Sequence, residues 1–306
     1  MIRVVAGTHC KTGASVFRRC VFPGRQRAAI WMLAAGCILP MAGCDAGARG
    51  SLVQFATVCG EQAISAEVDE VRVRTRVGDI SIIGGAQECV SVTADVRIRA
   101  GHASAVDDQG EFADHVNMVV RGRRLIIEDA HTGQPDHEDW GVSLVVRLPR
   151  RLATVDAFSG VGMLRVEGAS GIAKLSTGVG GIVLRSPSTA GIVAESGVGG
   201  ISVTVGDVLG SVKASSGTGD VSLQVTGTPP SKDVHLGTGT GSVDLSLPAG
   251  AAGRFRMATG TGSIRVSGHE GVSVKRSLVG GCAEGTVGKG GPTYDISTGT
   301  GSIVLR

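Results

Sequence analysis

The residues best suited to bind a metal ion lie in two polar segments, 101–116 and 129–139. Imidazole nitrogens and carboxylate oxygens are ordinary ligands of zinc, and carboxylate oxygens also bind calcium. Their spacing matches no familiar zinc pattern, and no cysteine adjoins them. These segments have two possible interpretations: a site for a divalent metal or small ligand, or a solvated acidic loop. We favour the loop. The side chains concerned are His102, Asp107, Asp108, Asp114, His115, His131, Asp136, His137, Glu138 and Asp139.

Glycine-rich motifs are the second candidate for chemistry, since glycine occupies 49 positions. A phosphate-binding loop needs Gly-x4-Gly-Lys-Ser/Thr at the start of a helix, but Gly288-Lys289 is followed by Gly290. Calcium-binding β-rolls repeat a carboxylate in every coil, whereas here an acid directly follows the second glycine of the motif only at Asp79 and Asp220. The sequence therefore favours glycines that shape the backbone, and we predict no bound cofactor.

Cys44 ends a segment that has the features of an export signal. An apolar run over residues 28–39 follows two arginines; it is too short for a transmembrane helix and typical of a signal-peptide core. The sequence Pro-Met-Ala-Gly-Cys at 40–44 resembles the bacterial lipobox. This resemblance implies that residues 1–43 are removed and that acylated Cys44 anchors the chain to the cell membrane on its extracytoplasmic side. An ordinary cleaved signal and a retained anchor helix are the alternatives.

The formal net charge of +3 comes from this amino-terminal segment. Residues 1–43 contain six basic residues and no acid, so 24 basic residues stand against 27 acidic ones in the remainder. No basic stripe is left to bind phosphate backbones, and we predict no nucleic-acid binding. Aromatic residues make up only 3% of the chain, which argues against a ligand pocket built on aromatic stacking.

A repeated motif determines the fold prediction. The motif is Ser/Thr-Gly-x-Gly-x-(Ile/Val/Leu)-x-(Val/Leu), and its apolar positions alternate with variable ones as in a β-strand. Successive copies are 18 to 22 residues apart, except that the last gap is 39 residues and holds a degenerate copy at 277–282. The first glycines of the seven copies are Gly160, Gly178, Gly197, Gly217, Gly239, Gly260 and Gly299.

Near-equal spacing favours stacked coils over hairpins, because stacked coils each pair with the next at about 4.8 Å. Glycines would form the corners, and the Ser/Thr residues before them would stack into a ladder of hydroxyls. We therefore predict an all-β, single-domain, right-handed parallel β-helix with about 20 residues per coil. It occupies residues 67–306, is interrupted by the two polar segments, and follows a tether at 44–66.

Two strand endings carry a resemblance to a known family. Strands that end in Leu148-Pro149 and in Leu247-Pro248 each lead into a copy of the motif. This arrangement resembles the bacterial putative-adhesin family of β-strand repeat proteins, a domain of unknown function. The resemblance covers about residues 68–306. It implies a β-solenoid in an exported or envelope protein and brings no catalytic residues with it.

The variable strand positions indicate what the surface can do. They hold mainly Ser, Val and single charges, without paired carboxylates on neighbouring coils and without a Ser/His/Asp set. We therefore expect a non-enzymatic, lipid-anchored envelope protein whose solenoid contacts a protein or a cell-wall polymer. The alternative is an accessory or sensory lipoprotein that binds a small ligand or metal through residues 101–139. A polysaccharide-acting enzyme is disfavoured.

The remaining cysteines and the last repeat give two further expectations. An exported chain permits a disulfide, and Cys59–Cys89 is the natural pair. Cys282 occupies an inward position of the degenerate repeat and is expected to be a buried thiol. Ile303 and Leu305 belong to the final copy, and we expect them at an open end of the solenoid. Local shielding, burial against a partner or second copy, and fraying are the alternatives; we favour self-association or partner binding through this carboxy-terminal coil.

Overall fold

The computed structural model describes residues 16–17, 52–64, 67–99, 112–130, 140–150, 152–269, 271–276 and 280–306. The first strands are β1 (Val16–Phe17), β2 (Leu52–Ala63), β3 (Glu70–Val77), β4 (Ile80–Gly85), β5 (Cys89–Arg99), β6 (Val116–Arg121), β7 (Arg124–Asp129), β8 (Trp140–Pro149), β9 (Thr154–Val161), β10 (Leu164–Glu167), β11 (Ile172–Val179) and β12 (Ile182–Thr189), with a short helix, α1 (Phe112–His115), before β6. The later strands are β13 (Gly191–Val198), β14 (Ile201–Val208), β15 (Val212–Thr218), β16 (Val221–Val225), β17 (Val234–Thr240), β18 (Val243–Ser246), β19 (Gly253–Thr261), β20 (Ile264–Val266), β21 (Val272–Arg276), β22 (Gly281–Val287), β23 (Thr293–Thr300) and β24 (Ile303–Leu305). Within these ranges no helix has the length and apolarity that crossing a bilayer requires.

The strands form two large mixed sheets, which confirms the all-β class. The first sheet has the order β1-β2-β5-β8-β4-β10-β12-β14-β16-β18-β24-β20. The second has the order β21-β22-β19-β23-β17-β15-β13-β11-β9-β3-β7-β6. The predicted strands near residues 71–82, 90–99 and 142–148 are present as β3 with β4, β5 and β8.

Strands of the central region alternate between the two sheets. From β9 to β16, each strand pairs in parallel with the strand two places further along the chain. The register aligns equivalent positions of successive copies of the motif: Thr177 lies opposite Ser196, and Ser196 lies opposite Ser216. We call one strand of the second sheet, its glycine corner and the next strand of the first sheet a unit. The eight units are β3/β4, β9/β10, β11/β12, β13/β14, β15/β16, β17/β18, β19/β20 and β23/β24.

The core lies between the two sheets and follows from the alternation of residues along each strand. Ile182 and Leu184 of β12 are completely buried, and Leu175 of β11 is nearly so. The same positions are apolar and buried in the neighbouring units, so each side chain packs on its equivalents above and below. Burial of a side chain of this size contributes about 1.5–3 kcal/mol.

Each corner depends on the second glycine of the motif. Gly180 has a φ of 147°, and its equivalents in the other units have φ between 143° and 154°, a region that residues with a Cβ rarely adopt. A Cβ added at Gly180 would also overlap the carbonyl oxygen of Gly162 in the preceding unit. Glycine is therefore needed at this position for two independent reasons.

The parallel β-helix that we predicted is not confirmed, because antiparallel strands extend both sheets and the sheets do not close on each other. At one end β2, β5 and β8 pair antiparallel in the first sheet, and β6 pairs antiparallel with β7 in the second. At the other end β21, β22 and β19 form an antiparallel set. Gly281 and Cys282 of the degenerate copy therefore belong to an antiparallel strand, β22, rather than to a coil.

The final copy of the motif is not at an end of the stack. Units β17/β18 and β19/β20 are consecutive in the chain, but β23/β24 lies between them and pairs in parallel with both. Ile303 and Leu305 are completely buried by these neighbours, so the expectation that they lie at an open end of the stack is wrong. The last strand of the first sheet is β20 instead.

The two cysteine expectations also need correction. In the antiparallel pair of β2 and β5, Cys59 lies opposite Thr93 and Cys89 lies opposite Ala63. The cysteines are offset by four positions, about 13 Å along the strands, whereas a disulfide needs Cα atoms within about 7 Å. This register is incompatible with the predicted Cys59–Cys89 disulfide. Cys282 is exposed rather than buried, because the alternation along β22 places the adjacent Ala283 on the inner face and Cys282 on the outer face.

Candidate glycine groove

Few of the predicted site residues fall in the part of the chain that the structure describes. Cys44 lies outside it, as do residues 101–111 and 131–139. Asp114 and His115 belong to α1, and His115 is buried with its ring centroid 5.7 Å from that of Trp140. Burial lowers the pKa of His115, which favours its neutral form. The described residues contain no group of three or more side chains that could hold a metal ion.

The two aspartates that follow second glycines have a structural role. Asp79 Oδ1 accepts a hydrogen bond from the backbone N–H of Met163 at 2.7 Å, and Asp220 Oδ1 accepts one from Ser242 at the same distance. Each carboxylate thus caps an N–H group of the next unit. This contact accounts for their presence without a calcium ion.

The predicted hydroxyl ladder is present and tightens the corners. Thr177 Oγ1 donates to the carbonyl of Gly162 at 3.1 Å, and Ser196 Oγ donates to that of Gly180 at 3.0 Å. Five other units make the same bond at 2.8–2.9 Å. The hydroxyls lie in the core, so each satisfies a carbonyl that the corner would otherwise leave without a partner.

Immediately outside this ladder, the first glycines of the motif stack into a column without side chains. A Cβ at Gly197 would approach the carbonyl oxygen of Gly178 to 2.5 Å, and the other members are equally close to a neighbouring unit. Close stacking therefore requires glycine here. The column runs in the order Gly160, Gly178, Gly197, Gly217, Gly239, Gly299 and Gly260. Seven members at the strand spacing span about 29 Å.

Side chains rise on both sides of this column, and we call the resulting channel the glycine groove. One bank consists of outward residues of the second sheet, among them Ser176, Glu195 and Ser215. The groove deepens beside Gly197 and Gly217 into an open depression of about 450 Å³. The Glu195 carboxylate in this bank is 2.7 Å from Lys213 Nζ, so its charge is balanced by an ion pair.

The other bank is the residue between the two glycines of each motif, and it changes character along the stack. It is apolar in the earlier units, where Val161, Val179 and Val198 are each about half exposed. It is threonine in the later units, and those side chains are exposed. The threonines, in stacking order, are Thr218, Thr240, Thr300 and Thr261.

The apolar end of the groove carries an aromatic ring. Phe158 lies on the outer face of β9 and is 38% exposed, and the guanidinium carbon of Arg74 is 5.9 Å from its ring centroid. Met163, after the corner, is also exposed. The groove thus joins an apolar end to a hydroxyl-rich end. The change from valine to threonine between the two glycines of the motif is visible in the sequence. Only the stacking of the units shows that these residues form one bank.

Comparison with known proteins finds similar solved structures at low sequence identity. No model of a protein family matches the sequence, and no curated protein matches it. A solved structure of a putative cell adhesion protein from Clostridium sporogenes is similar, with 11% identity, 82% of this chain and 99% of that chain covered, and a TM-score of 0.36. A putative adhesin from Bacteroides fragilis has 12% identity, coverage of 82% and 97%, and a TM-score of 0.39. A putative lipid binding protein from Parabacteroides distasonis has 15% identity, coverage of 82% and 96%, and a TM-score of 0.43.

Proposed function

We propose that this chain is a non-enzymatic, adhesin-like envelope protein that binds a hydroxyl-rich cell-wall polymer along the glycine groove. The observation that carries the proposal is the continuous column of first glycines, which leaves an open channel across seven stacked units. Such a channel suits an extended chain better than a compact ligand.

Regular spacing of the banks supports a repeating ligand. Ser176 and Ser215 on one side and Thr218 and Thr240 on the other belong to rows that recur at the strand spacing of about 4.8 Å. Single hydroxyl contacts are weak, contributing about 0.5–1.5 kcal/mol each. Several of them acting on one polymer add up, because later contacts form at a high effective concentration.

The electrostatics of the lining favour binding over hydrolysis. Glycoside hydrolysis needs two carboxyl groups about 5–10 Å apart on either side of the bond. The lining of the depression contains one carboxylate, Glu195, which Lys213 engages. A binding role without catalysis accounts for this arrangement.

The proposal includes the architecture and the location of the protein. The eight units act as a β-solenoid core, and the antiparallel strands at both ends protect it. The lipobox-like sequence at 40–44 anchors the chain through acylated Cys44 on the extracytoplasmic side of the membrane. Cys44→Ser is expected to abolish lipid labelling and to release the protein from the membrane fraction. Unchanged labelling and membrane association would contradict the anchor.

The groove is tested by placing one large side chain in its bank. Ser215→Trp is expected to reduce co-sedimentation with purified cell walls at least tenfold, because the indole covers the depression. Ser222→Trp is the matched control: Ser222 lies in the same unit on the outer face of the first sheet. Both variants should keep the circular dichroism spectrum of the parent chain. Equal binding by both variants would refute the groove as the binding surface.

A further inference from the structure

The unit β23/β24 is inserted between two units that are consecutive in the chain. Residues 234–246 form the unit on one side of it, and residues 253–266 form the unit on the other side. Every other neighbouring pair from β9/β10 to β17/β18 follows chain order. We call β23/β24 the inserted unit.

The inserted unit bonds to both neighbours in the way that the other units bond to each other. Gly241 N donates to Thr300 O at 2.9 Å, and Gly301 N donates to Thr261 O at 2.8 Å. The same bond joins Gly219 N to Thr240 O at 2.8 Å between units that are consecutive in the chain. The inserted unit is therefore held by the same backbone hydrogen bonds as the units that follow chain order.

The two neighbours are equally suited to pair with each other. The inserted unit's Thr298 donates its hydroxyl to Gly241 O, and Thr259 of the next unit donates to Gly301 O. Thr238, Thr298 and Thr259 occupy one register position. If the inserted unit is withdrawn, Thr259 can therefore donate to Gly241 O, and the stack can close without a change of register.

Two features make withdrawal easier. The connection to β22 is the segment 288–292, in which three of five residues are glycines with positive φ. In addition, Tyr294 is completely buried and its hydroxyl has no hydrogen-bond partner among the described residues. Burial raises the pKa of this phenol to about 12. An unsatisfied buried hydroxyl weakens the seating of the inserted unit.

We propose that residues 293–305 are an exchangeable unit, and that a second copy of this chain can supply them to form a reciprocally exchanged dimer. The buried contacts of Ile296 and Ile303 are recovered in full when the same residues of a second copy take their place. Exchange of identical elements is a low-cost route to dimers for this reason. The proposal concerns assembly and does not depend on what the groove binds.

Cysteines at two facing positions test this exchange in the full chain. A Cβ at Gly237 would lie 3.4 Å from Ser297 Oγ across the boundary between β17 and the inserted unit. Chains carrying Gly237→Cys, labelled with ¹⁵N, are mixed with unlabelled chains carrying Ser297→Cys, both in a Cys282→Ser background. The mixture is warmed briefly at high micromolar concentration, cooled and oxidised. Mass spectrometry should detect a disulfide-linked peptide pair that joins position 237 of a labelled chain to position 297 of an unlabelled chain.

A matched mixture supplies the control. Ser215 faces Gly237 on its other side and belongs to a unit that follows chain order. Chains carrying Ser215→Cys and Gly237→Cys should give at least tenfold less crosslink than the test mixture. Equal crosslinking in the two mixtures would overturn the proposal. A second measurement needs no disulfide. Native mass spectrometry of labelled and unlabelled parent chains, mixed in the same way, should show mixed-label dimers that increase with concentration. Their absence would also overturn the proposal.

Discussion

Removing one hydroxyl of the buried ladder should destabilise the protein by a measurable amount. Thr238 Oγ1 donates to Gly219 O at 2.8 Å and its side chain is only 7% exposed. Thr238→Val keeps the shape and the β-branching but removes the donor. We expect a loss of about 1 kcal/mol for the hydrogen bond, rising towards about 3 kcal/mol because the carbonyl stays buried without a partner.

The assay is equilibrium unfolding in urea, and the same strand offers the control. Thr240 lies two residues further along β17 but is exposed. Thr240→Val should change the free energy of unfolding by no more than about 0.5 kcal/mol. With a slope of about 3 kcal/mol/M, Thr238→Val should lower the urea midpoint by about 0.3–1 M. A midpoint for Thr238→Val that equals or exceeds that of Thr240→Val would refute the role of the ladder.

Three further predictions follow from individual side chains. Gly180→Ala should prevent folding, judged by the loss of the cooperative transition, whereas Gly122→Ala, with a φ of 59° and open space around a Cβ, should cost about 1–2 kcal/mol. Tyr294→Phe should leave the urea midpoint unchanged or raise it, since it removes a buried hydroxyl without a partner; a clear decrease would contradict that assignment. Hydrogen bonds from the backbone and side chain of Thr228 lower the pKa of Asp207. The carboxylate therefore stabilises the fold above about pH 4, and this contribution is lost as the pH falls through the lowered pKa. Asp207→Asn should make the urea midpoint less dependent on pH in this range, and an unchanged dependence would contradict this role.

Local structure was predictable because the residues of each motif determine the conformation of one strand and one corner. The alternation in β12 shows which side chains lie inward, and the paired glycines mark a corner whatever surrounds them. The hydroxyl ladder could be predicted for the same reason. These features depend on contacts between equivalent positions, which any parallel stacking of the copies produces.

The order of the units was not predictable, because the copies are interchangeable. Residues 238–242, 259–263 and 298–302 all read Thr-Gly-Thr-Gly-Ser. A pairing rule based on the motif therefore cannot distinguish the chain order from the observed one. Cys282 was misplaced for a related reason: a gap of nearly two periods was interpreted as one degenerate coil, but β21 and β22 pair antiparallel there and extend the sheet beyond β19.

The groove was missed because its parts are separated in the sequence by whole periods. Val179 and Thr218 occupy the same motif position, but neither has any chemical feature that marks a site. Only stacking brings such residues into one bank beside a floor of glycines. The apolar and hydroxyl-rich ends could then have been read from that single position of the motif.

Affinity measured against ligand length tests the proposed function most directly. Isothermal titration of the protein with cell-wall glycan fragments of increasing length should show an affinity that rises at least tenfold between fragments that cover two units and fragments that cover six. Ser215→Trp should abolish this rise, and Ser222→Trp should retain it. An affinity that does not depend on fragment length, or a rise that survives Ser215→Trp, would contradict binding along the glycine groove.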